Sequence, residues 1–451
     1  MPIKISILSL GCARNLVDSE VMLGILKKSG CDIVDIAGGA DIAIINTCSF
    51  IDEAKKESID IILDVIGLKN EGKIKKILIA GCLPQRYGKI LKDEFKEIDG
   101  FIGVDGFEKL PAVIKALTKE KRRALIIPPK PEFLYDDRAP RIRLTPEHYA
   151  YLKISEGCSH KCSFCVIPCV RGRHRSRKMD SVLREASALI KSGVKEINLI
   201  GQDTTLYGMD LYKRPALAEL LKKLANLKGA KWIRLLYTHP AHFTDELIDV
   251  IGDEPAICKY IDLPIQHISD KILKKMNRGT SKQSILELLH KIRKNIPGVA
   301  IRTSIIVGFP GETEKEFAEL LDFIKKEKFE RLGAFTYSRE EGTAAYKFGG
   351  QIPEKEKKAR WDEIMKVQQD VSRENNRELM GKVLDVIIDE KDESDPNLYL
   401  GRSYMDAPEV DGIVYVKTSK IKHQKSKLKV GEFARVKIID TYEYDLVGNA
   451  L

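Results

Sequence analysis

The sequence predicts an α/β protein in three parts: an N-terminal α/β domain on a parallel sheet, a central barrel-like sheet of six βα units, and a small C-terminal β-barrel. Three observations predict it. Short apolar runs alternate with helix-period runs through most of the chain, the pattern of βαβ units. Five prolines between Pro128 and Pro146 interrupt that alternation once. Beyond about residue 377 the helix-period runs give way to strand-like runs separated by turn residues. At 451 residues the chain exceeds one ordinary core. The expected divisions are 1–120, a linker at 121–146, then 147–376 and 377–451.

The elements follow in order. Ile3, Ile5 and Ile7 alternate with Lys4 and Ser6, the period of a strand. Asp18 is expected to cap a helix carrying Val21, Met22, Ile25 and Leu26, which Ser29-Gly30 ends. Residues 42–45 and 77–80 are the next strands. In the central part, strands are predicted at 149–155, 196–200, 232–237, 260–265, 301–307 and 332–337. Thr313 and Glu316 have the spacing of a capping box, so a helix starts there. A long helix with the stripe Trp361, Ile364, Met365 and Val371 follows, and Gly381 ends it. The last part offers strands at 383–388, 413–416 and 433–439.

The cysteines carry the functional signal. Cys12, Cys48 and Cys82 each come just after a predicted strand, 36 and 34 residues apart. In a parallel sheet such strand ends share one edge, where open α/β folds bind ligands. The small neighbours Gly11, Thr47 and Gly81 suit a tight turn around a bulky group. Three unrelated semi-buried thiols are the plain alternative; their common topological position favours a shared site. Cys158, Cys162 and Cys165 form a second triplet, C-x₃-C-x₂-C. It is one thiolate short of a closed iron–sulfur cluster. A cube held by three corners keeps one metal position open, as catalytic zinc does. A zinc site with His160, His174 or Cys169 as fourth ligand also fits, although short zinc motifs usually pair with a second Cys/His couple at a distance. Cys31 and Cys258 read as structural.

The remaining composition excludes more than it assigns. No segment reaches the ~18 apolar residues of a membrane span, and the first residues lack a signal-peptide layout. Nine unevenly spaced cysteines suggest no disulfide framework, which fits a cytoplasmic protein. A net charge of +10 allows an acidic partner without requiring one. Arg171, Arg173, Arg175 and Arg177 alternate past the second triplet, as a solvated face or a contact for an acidic group. Residues 417–429 hold six lysines and no acid. They form either a solvated loop or an RNA contact, with no aromatic to stack a base.

This order of parts resembles the radical SAM (S-adenosylmethionine) methylthiotransferases from end to end. In that family the parts are the methylthiotransferase N-terminal domain, the radical SAM core and the TRAM domain. Two blocks, Ser9-Leu10-Gly11-Cys12-Ala13-Arg14-Asn15-Leu16-Val17-Asp18-Ser19-Glu20 and Gly401-Arg402-Ser403-Tyr404-Met405-Asp406-Ala407-Pro408-Glu409-Val410-Asp411-Gly412, resemble the RimO branch. Ala13-Arg14 stands where that branch more often has Pro-Lys. The resemblance implies two [4Fe-4S] clusters, on Cys12/Cys48/Cys82 and Cys158/Cys162/Cys165, with SAM on the open iron of the second. It places Phe164 near the SAM adenine, Gly201-Gln202 at its methionine end, and Glu312 as a further contact. A core aromatic, turn residues and a helix-start acid are the plain alternatives for these. The implied reaction inserts a methylthio group at the β-carbon of an aspartate in a small-subunit ribosomal protein, free or in the assembled ribosome. That C–H is unactivated, and no side-chain base has a pKa suited to removing it as a proton; a radical route avoids the problem. A reductant protein, an RNA contact through the C-terminal part, no membrane and a monomer complete the expectation. Two other functions are weighed: methylthiolation of an adenosine in tRNA, and a non-catalytic iron–sulfur electron carrier or RNA-binding module.

Overall fold

The computed structural model describes residues 2–119, 123–418 and 428–451. The first sheet has strands β1 (Lys4–Ser9), β2 (Asp32–Ile33), β3 (Ile42–Thr47), β4 (Lys76–Gly81), β5 (Gly100–Ile102) and β6 (Ala124–Ile126), all parallel, in the order β2-β1-β3-β4-β5-β6. Both faces are covered, so the middles of β3 and β4 are continuous apolar runs and there the period of two shows only in what each side chain meets. Ile42, Ile44, Leu78 and Ala80 pack with Met22, Leu26, Leu110 and Val113. Ala43, Ile45, Ile77 and Ile79 pack with Ile62, Val65, Leu83 and Leu91 on the other side. β6 lies beyond residue 120, so the sheet extends into the stretch expected to be linker. There the short run Ala124-Leu125-Ile126 pairs with β5.

The first helix, Ala13–Lys28, starts earlier than expected, with Cys12 as its N-cap. Asp18 therefore caps nothing. It sits buried inside the helix, 2.5 Å from Lys153 Nζ and 2.6 Å from an Arg171 nitrogen.

The central sheet contains β7 (Tyr149–Lys153), then β10 (Glu196–Ile200), β11 (Trp232–Leu235), β12 (Ile257–Asp262), β13 (Ala300–Val307) and β14 (Arg331–Thr336). Between β7 and β10, β8 (Ser155–Glu156) and β9 (Arg175–Ser176) form a separate antiparallel pair. The predicted strand 149–155 thus breaks at Ile154. Strand order in the large sheet follows the chain, with every neighbour parallel. Right-handed crossovers that always step the same way put all the helices on one face. That face is the main core, with Ala150, Leu152, Ile197, Leu199, Ile233, Leu235 and Ile301. The opposite, concave face carries Tyr151, Lys153, Asn198, Arg234, Tyr260, Asp262, Arg302 and Ser304, and it meets the other two parts of the chain.

The last part is a closed barrel of β15 (Val383–Lys391), β16 (Leu398–Ser403), β17 (Val414–Lys417), β18 (Phe433–Thr441) and β19 (Leu446–Ala450), ordered β15-β16-β17-β19-β18. The sequence reading missed β16 and β19. Their glycines (Gly401, Gly448) sit where backbones approach closely, since a Cβ would lie 2.4 Å from Ile387 O or 2.3 Å from a Val436 methyl. Lys420, Lys422, Lys425 and Lys427 of the lysine-rich stretch lie outside the described residues.

Candidate active site

The order β2-β1-β3-β4 reverses direction between β1 and β3. The helices that leave those strands therefore diverge to opposite faces and open a crevice at the strand ends. Cys12 begins the helix after β1, Cys48 follows β3, and Cys82 begins the helix Cys82–Glu94 after β4. Gly11 (φ +86°) lies so close to Cys48 that a Cβ on it would be 2.7 Å from that of Cys48. Gly81 (φ +93°) would place a Cβ 2.2 Å from Asn46 Oδ1. Only glycine takes both the conformation and the space. The thiols feel one another: burial pushes Cys48 up to about 12, with Cys82 and Cys12 adding to it. Burial also raises Cys82, against the pull of Arg171, whose guanidinium lies 3.2 Å from its sulfur. At Cys12 burial is outweighed by Arg14 and Arg171, and the thiol falls below its ordinary value.

The second triplet lies on the loop joining β8 to β9, so an antiparallel pair closes the loop at its base. Gly157 (φ +79°) precedes Cys158, and a Cβ on it would lie 2.1 Å from Arg173 O. The Cys158 N–H donates to Gly172 O at 3.0 Å, and that of Cys165 to Cys162 O at 3.2 Å. The Ser163 N–H ties the loop to the end of the helix Asp270–Met276 by donating to Met276 O at 2.9 Å. Burial raises Cys158 to about 11 and Cys165 to about 12. Both triplets thus combine buried and half-buried sulfur donors with a nearby guanidinium, since Arg278 stands 3.7 Å from Cys162 Sγ. Such a donor set fits an anionic iron–sulfur cluster, whose bound metal displaces the thiol protons. The fourth ligands of the zinc alternative are otherwise placed. His160 Nε2 is 2.6 Å from Asp203, His174 Nε2 is 3.1 Å from Ser176 Oγ, and Cys169 is exposed.

A cavity of about 380 Å³ opens beside this loop, on the concave face of the central sheet. Cys158, Cys162, Phe164 and Cys165 line it, as do Arg14, Phe50 and Ile51, the chain neighbours of Cys12 and Cys48. The strand ends add Gln202, Tyr237, Gln266 and Ser304. Gln202 donates to Glu156 and leaves its Oε1 buried without a partner among the described residues. Tyr237 (φ +58°) and Gln266 (φ +72°) hold left-handed backbone without being glycine, a local strain that concentrates at functional sites.

His160, His239 and His242 gather at the same mouth, with ring nitrogens within 4.8 Å of one another. Asp203 bonds two of them. The rings of His239 and His242 stack on that of His160, at interplanar angles of 15° and 16°. Lone pairs in near-parallel planes do not converge on one point ~2 Å from each nitrogen. The stack therefore pins the middle of the cysteine loop to the ends of β10 and β11 rather than forming a metal centre.

The comparisons place this architecture. The chain is 49% identical over 445 residues to the ribosomal protein uS12 methylthiotransferase RimO of Thermoanaerobacter sp., covering 99% of each. It is 47% identical to the same-named protein of Clostridioides difficile, covering 100% of this chain and 99% of that one. The chain belongs to the RimO methylthiotransferase family. Within this RimO-family chain, residues 152–324 match the radical SAM superfamily, 380–451 the TRAM domain, and 4–103 the family described as uncharacterized protein family UPF0004. The fold is shared with the radical S-adenosylmethionine methyltransferase TsrM of Kitasatospora setae, solved with cobalamin and a [4Fe-4S] cluster bound. That likeness has a TM-score of 0.55 at 14% identity, over 74% of this chain and 75% of that one.

The sequence-predicted residues of this RimO-family chain separate into two groups. Phe164 and Gln202 line the cavity; Gly201 is buried beside it, its carbonyl accepting from Arg14 at 2.8 Å. Glu312 does not line it. Its carboxylate is fully buried, accepts from the Gly308 N–H at 3.1 Å, and pairs with Arg360 at 2.7 Å. The alternating arginines are not a solvated face. Arg171 and Arg177 are buried against carboxylates, and only Arg173 is exposed. Asp203 was legible only as a strand-end position, and sequence reasoning missed Arg14, Tyr237, Arg278 and Arg302. Tyr237 lies just past β11, but Arg14 opens a helix, Arg278 follows one and Arg302 lies within β13, and nothing in their spacing marks them.

Proposed function

We propose that this RimO-family chain attaches a methylthio group to the β-carbon of an aspartyl side chain in ribosomal protein uS12, in the cytoplasm. One observation carries the reading: the neighbours of the first thiol triplet and the thiols of the second line the same cavity. A carbon bound there lies within reach of both. Cys158, Cys162 and Cys165 would hold one [4Fe-4S] cluster, and Cys12, Cys48 and Cys82 the other. With SAM bound, these groups supply one-electron chemistry, namely reductive cleavage of SAM, hydrogen abstraction and delivery of sulfur.

The chain's own residues do the rest. The β8–β9 pair and the Asp203–His160 contact hold the second cysteine loop at the cavity wall. Phe164 offers an aromatic face to an adenine, braced edge-on by Phe309 with ring centres 6.5 Å apart. Gln202 Oε1 is an acceptor for a polar group of SAM. Arg14, Arg171 and Arg278 bring positive charge to the sulfurs. Phe50, Phe335 and Val410, one from each part of the chain, are 42%, 45% and 58% exposed on the same cavity. Together they offer an apolar rim to a protein loop. The C-terminal barrel would add an RNA contact when the substrate protein is already in the ribosome.

Incubation of the anaerobically reconstituted enzyme with uS12, and separately with tRNA, followed by intact mass measurement, tests the reading. A methylthio mass gain on uS12 is expected; a gain on tRNA alone overturns it. The Cys12/Cys48/Cys82→Ala triple variant should bind about four irons where the parent binds about eight. Equal iron in both removes the first cluster from the mechanism.

A further inference from the structure

Arg14 is the guanidinium that joins the two halves of the cavity. It stems from the N-terminal part, yet donates to Gly201 O across 187 residues of sequence. Its charge lies 4.2 Å over the ring of Tyr237, a residue held at φ +58°. It also lies beside the Cys12 thiol. Among the described residues, no carboxylate lies within ion-pair distance of it, whereas Arg302 on the same wall is already paired with Asp262 at 3.1 Å and Asp411 at 3.2 Å. Both Arg14 and Tyr237 line the cavity. A guanidinium whose face rests on an aromatic ring, and which has no carboxylate partner, is arranged to bind one in the plane of its remaining N–H groups.

We propose that Arg14, seated on Tyr237, is the carboxylate-binding residue that selects the aspartyl side chain of the substrate. This rests on the function proposed above. In an aspartate the β-carbon is bonded directly to the carboxylate carbon, so gripping the carboxylate leaves the reacting carbon one bond away from a fixed point. Holding it beside Cys12 sets that carbon near the first triplet, where sulfur must be delivered, and inside the cavity that the second triplet lines. A nucleobase carries no carboxylate one bond from its reacting carbon, so this grip positions an aspartyl side chain and not a base. SAM also carries a carboxylate, and the test separates the two sources.

The experiment compares reconstituted wild type, Arg14→Gln and Arg14→Lys. It measures KM for uS12, KM for SAM, the Kd of uS12 by calorimetry without SAM, and iron per chain. A lost charge-assisted hydrogen bond corresponds to a tenfold to hundredfold effect, order of magnitude. Arg14→Gln should raise KM and Kd for uS12 by about that factor, with KM for SAM and iron unchanged, and Arg14→Lys should recover part of it. Replacing the modified aspartate of uS12 by asparagine should weaken wild-type binding similarly and add little to Arg14→Gln. A rise in KM for SAM instead assigns Arg14 to the cofactor's carboxylate and overturns the proposal. So does lost iron, which makes it a cluster residue, or an unchanged KM for uS12. If wild type modifies tRNA and not uS12, the functional reading has failed in the wild-type arm, before any variant is consulted, and the proposal falls with it.

Discussion

Glu316 shows how a short spacing becomes a measurable energy. Thr313 donates its N–H to the Glu316 carboxylate at 2.9 Å and its hydroxyl at 2.5 Å, and Lys271 adds an ion pair at 3.0 Å. The Thr313 hydrogen bond is the main cause that lowers the carboxyl from 4.5 to about 2. A depressed folded value means that the stabilisation is complete above about 4.5 and is lost as pH falls through about 2. Glu316→Gln should therefore lower stability by about 1 kcal/mol at pH 7, the usual worth of a cap. In urea unfolding followed at several pH values, the gap between variant and parent should close towards pH 2. The box was legible because both partners lie within one helical turn. Asp18 was misread for the same local reason: an acid ahead of an apolar run resembles a cap. Its partners, Lys153 and Arg171, are 135 and 153 residues away.

At the scale of an element, the turn before each triplet decides whether its sulfurs face one point. Gly11, Gly81 and Gly157 each directly precede a candidate ligand, and each has positive φ with no room for a Cβ. Gly81→Ala should displace Cys82 and cut iron after reconstitution to about half, since about one cluster of two is affected. Gly30→Ala, at φ +89° with open space around it, tests whether conformation alone matters. It should cost about 1 kcal/mol of stability and leave iron unchanged, measured by thermal unfolding and iron assay. The βα alternation that positions these turns was readable from periodicity, as were all six strands of the central sheet. The antiparallel β8–β9 pair was not, because two-residue strands carry no period. β16 and β19 escaped because glycines chosen for close backbone approach look like loop residues.

For the whole molecule, buried ion pairs dock the two flanking parts on the concave face of the central sheet. Glu196 bonds both Arg234 at 2.8 Å and Arg402 of the C-terminal barrel at 2.7 Å, and Arg331 meets Asp406 at 2.5 Å. On the N-terminal side, Glu340 bonds Arg86 at 2.6 Å and Lys55 at 2.9 Å. Breaking a buried pair from one side strands the other charge and costs about 3–5 kcal/mol. Glu340→Gln should lower the unfolding temperature and speed tryptic cleavage in the stretch 128–146; unchanged cleavage would mean that Glu340 does not hold the parts together. Arg402→Met keeps the aliphatic stem but leaves Glu196 with Arg234 alone and Asp389 with His148 alone, and the same assays should show the C-terminal barrel loosened. No helix among the described residues is long and apolar enough to cross a membrane.

The residue order alone was enough for the strands and helices that carry a period, the thiol triplets and the succession of parts. Each of these is written over a few neighbouring positions. Which wall a side chain joins was settled only by folding. Arg14 meets Gly201, Arg171 meets Cys82, and Arg302 meets Asp411, over separations of 187, 89 and 109 residues. Parallel strands bring distant positions to one sheet edge, and a charge taken out of water must find its partner wherever the chain returns.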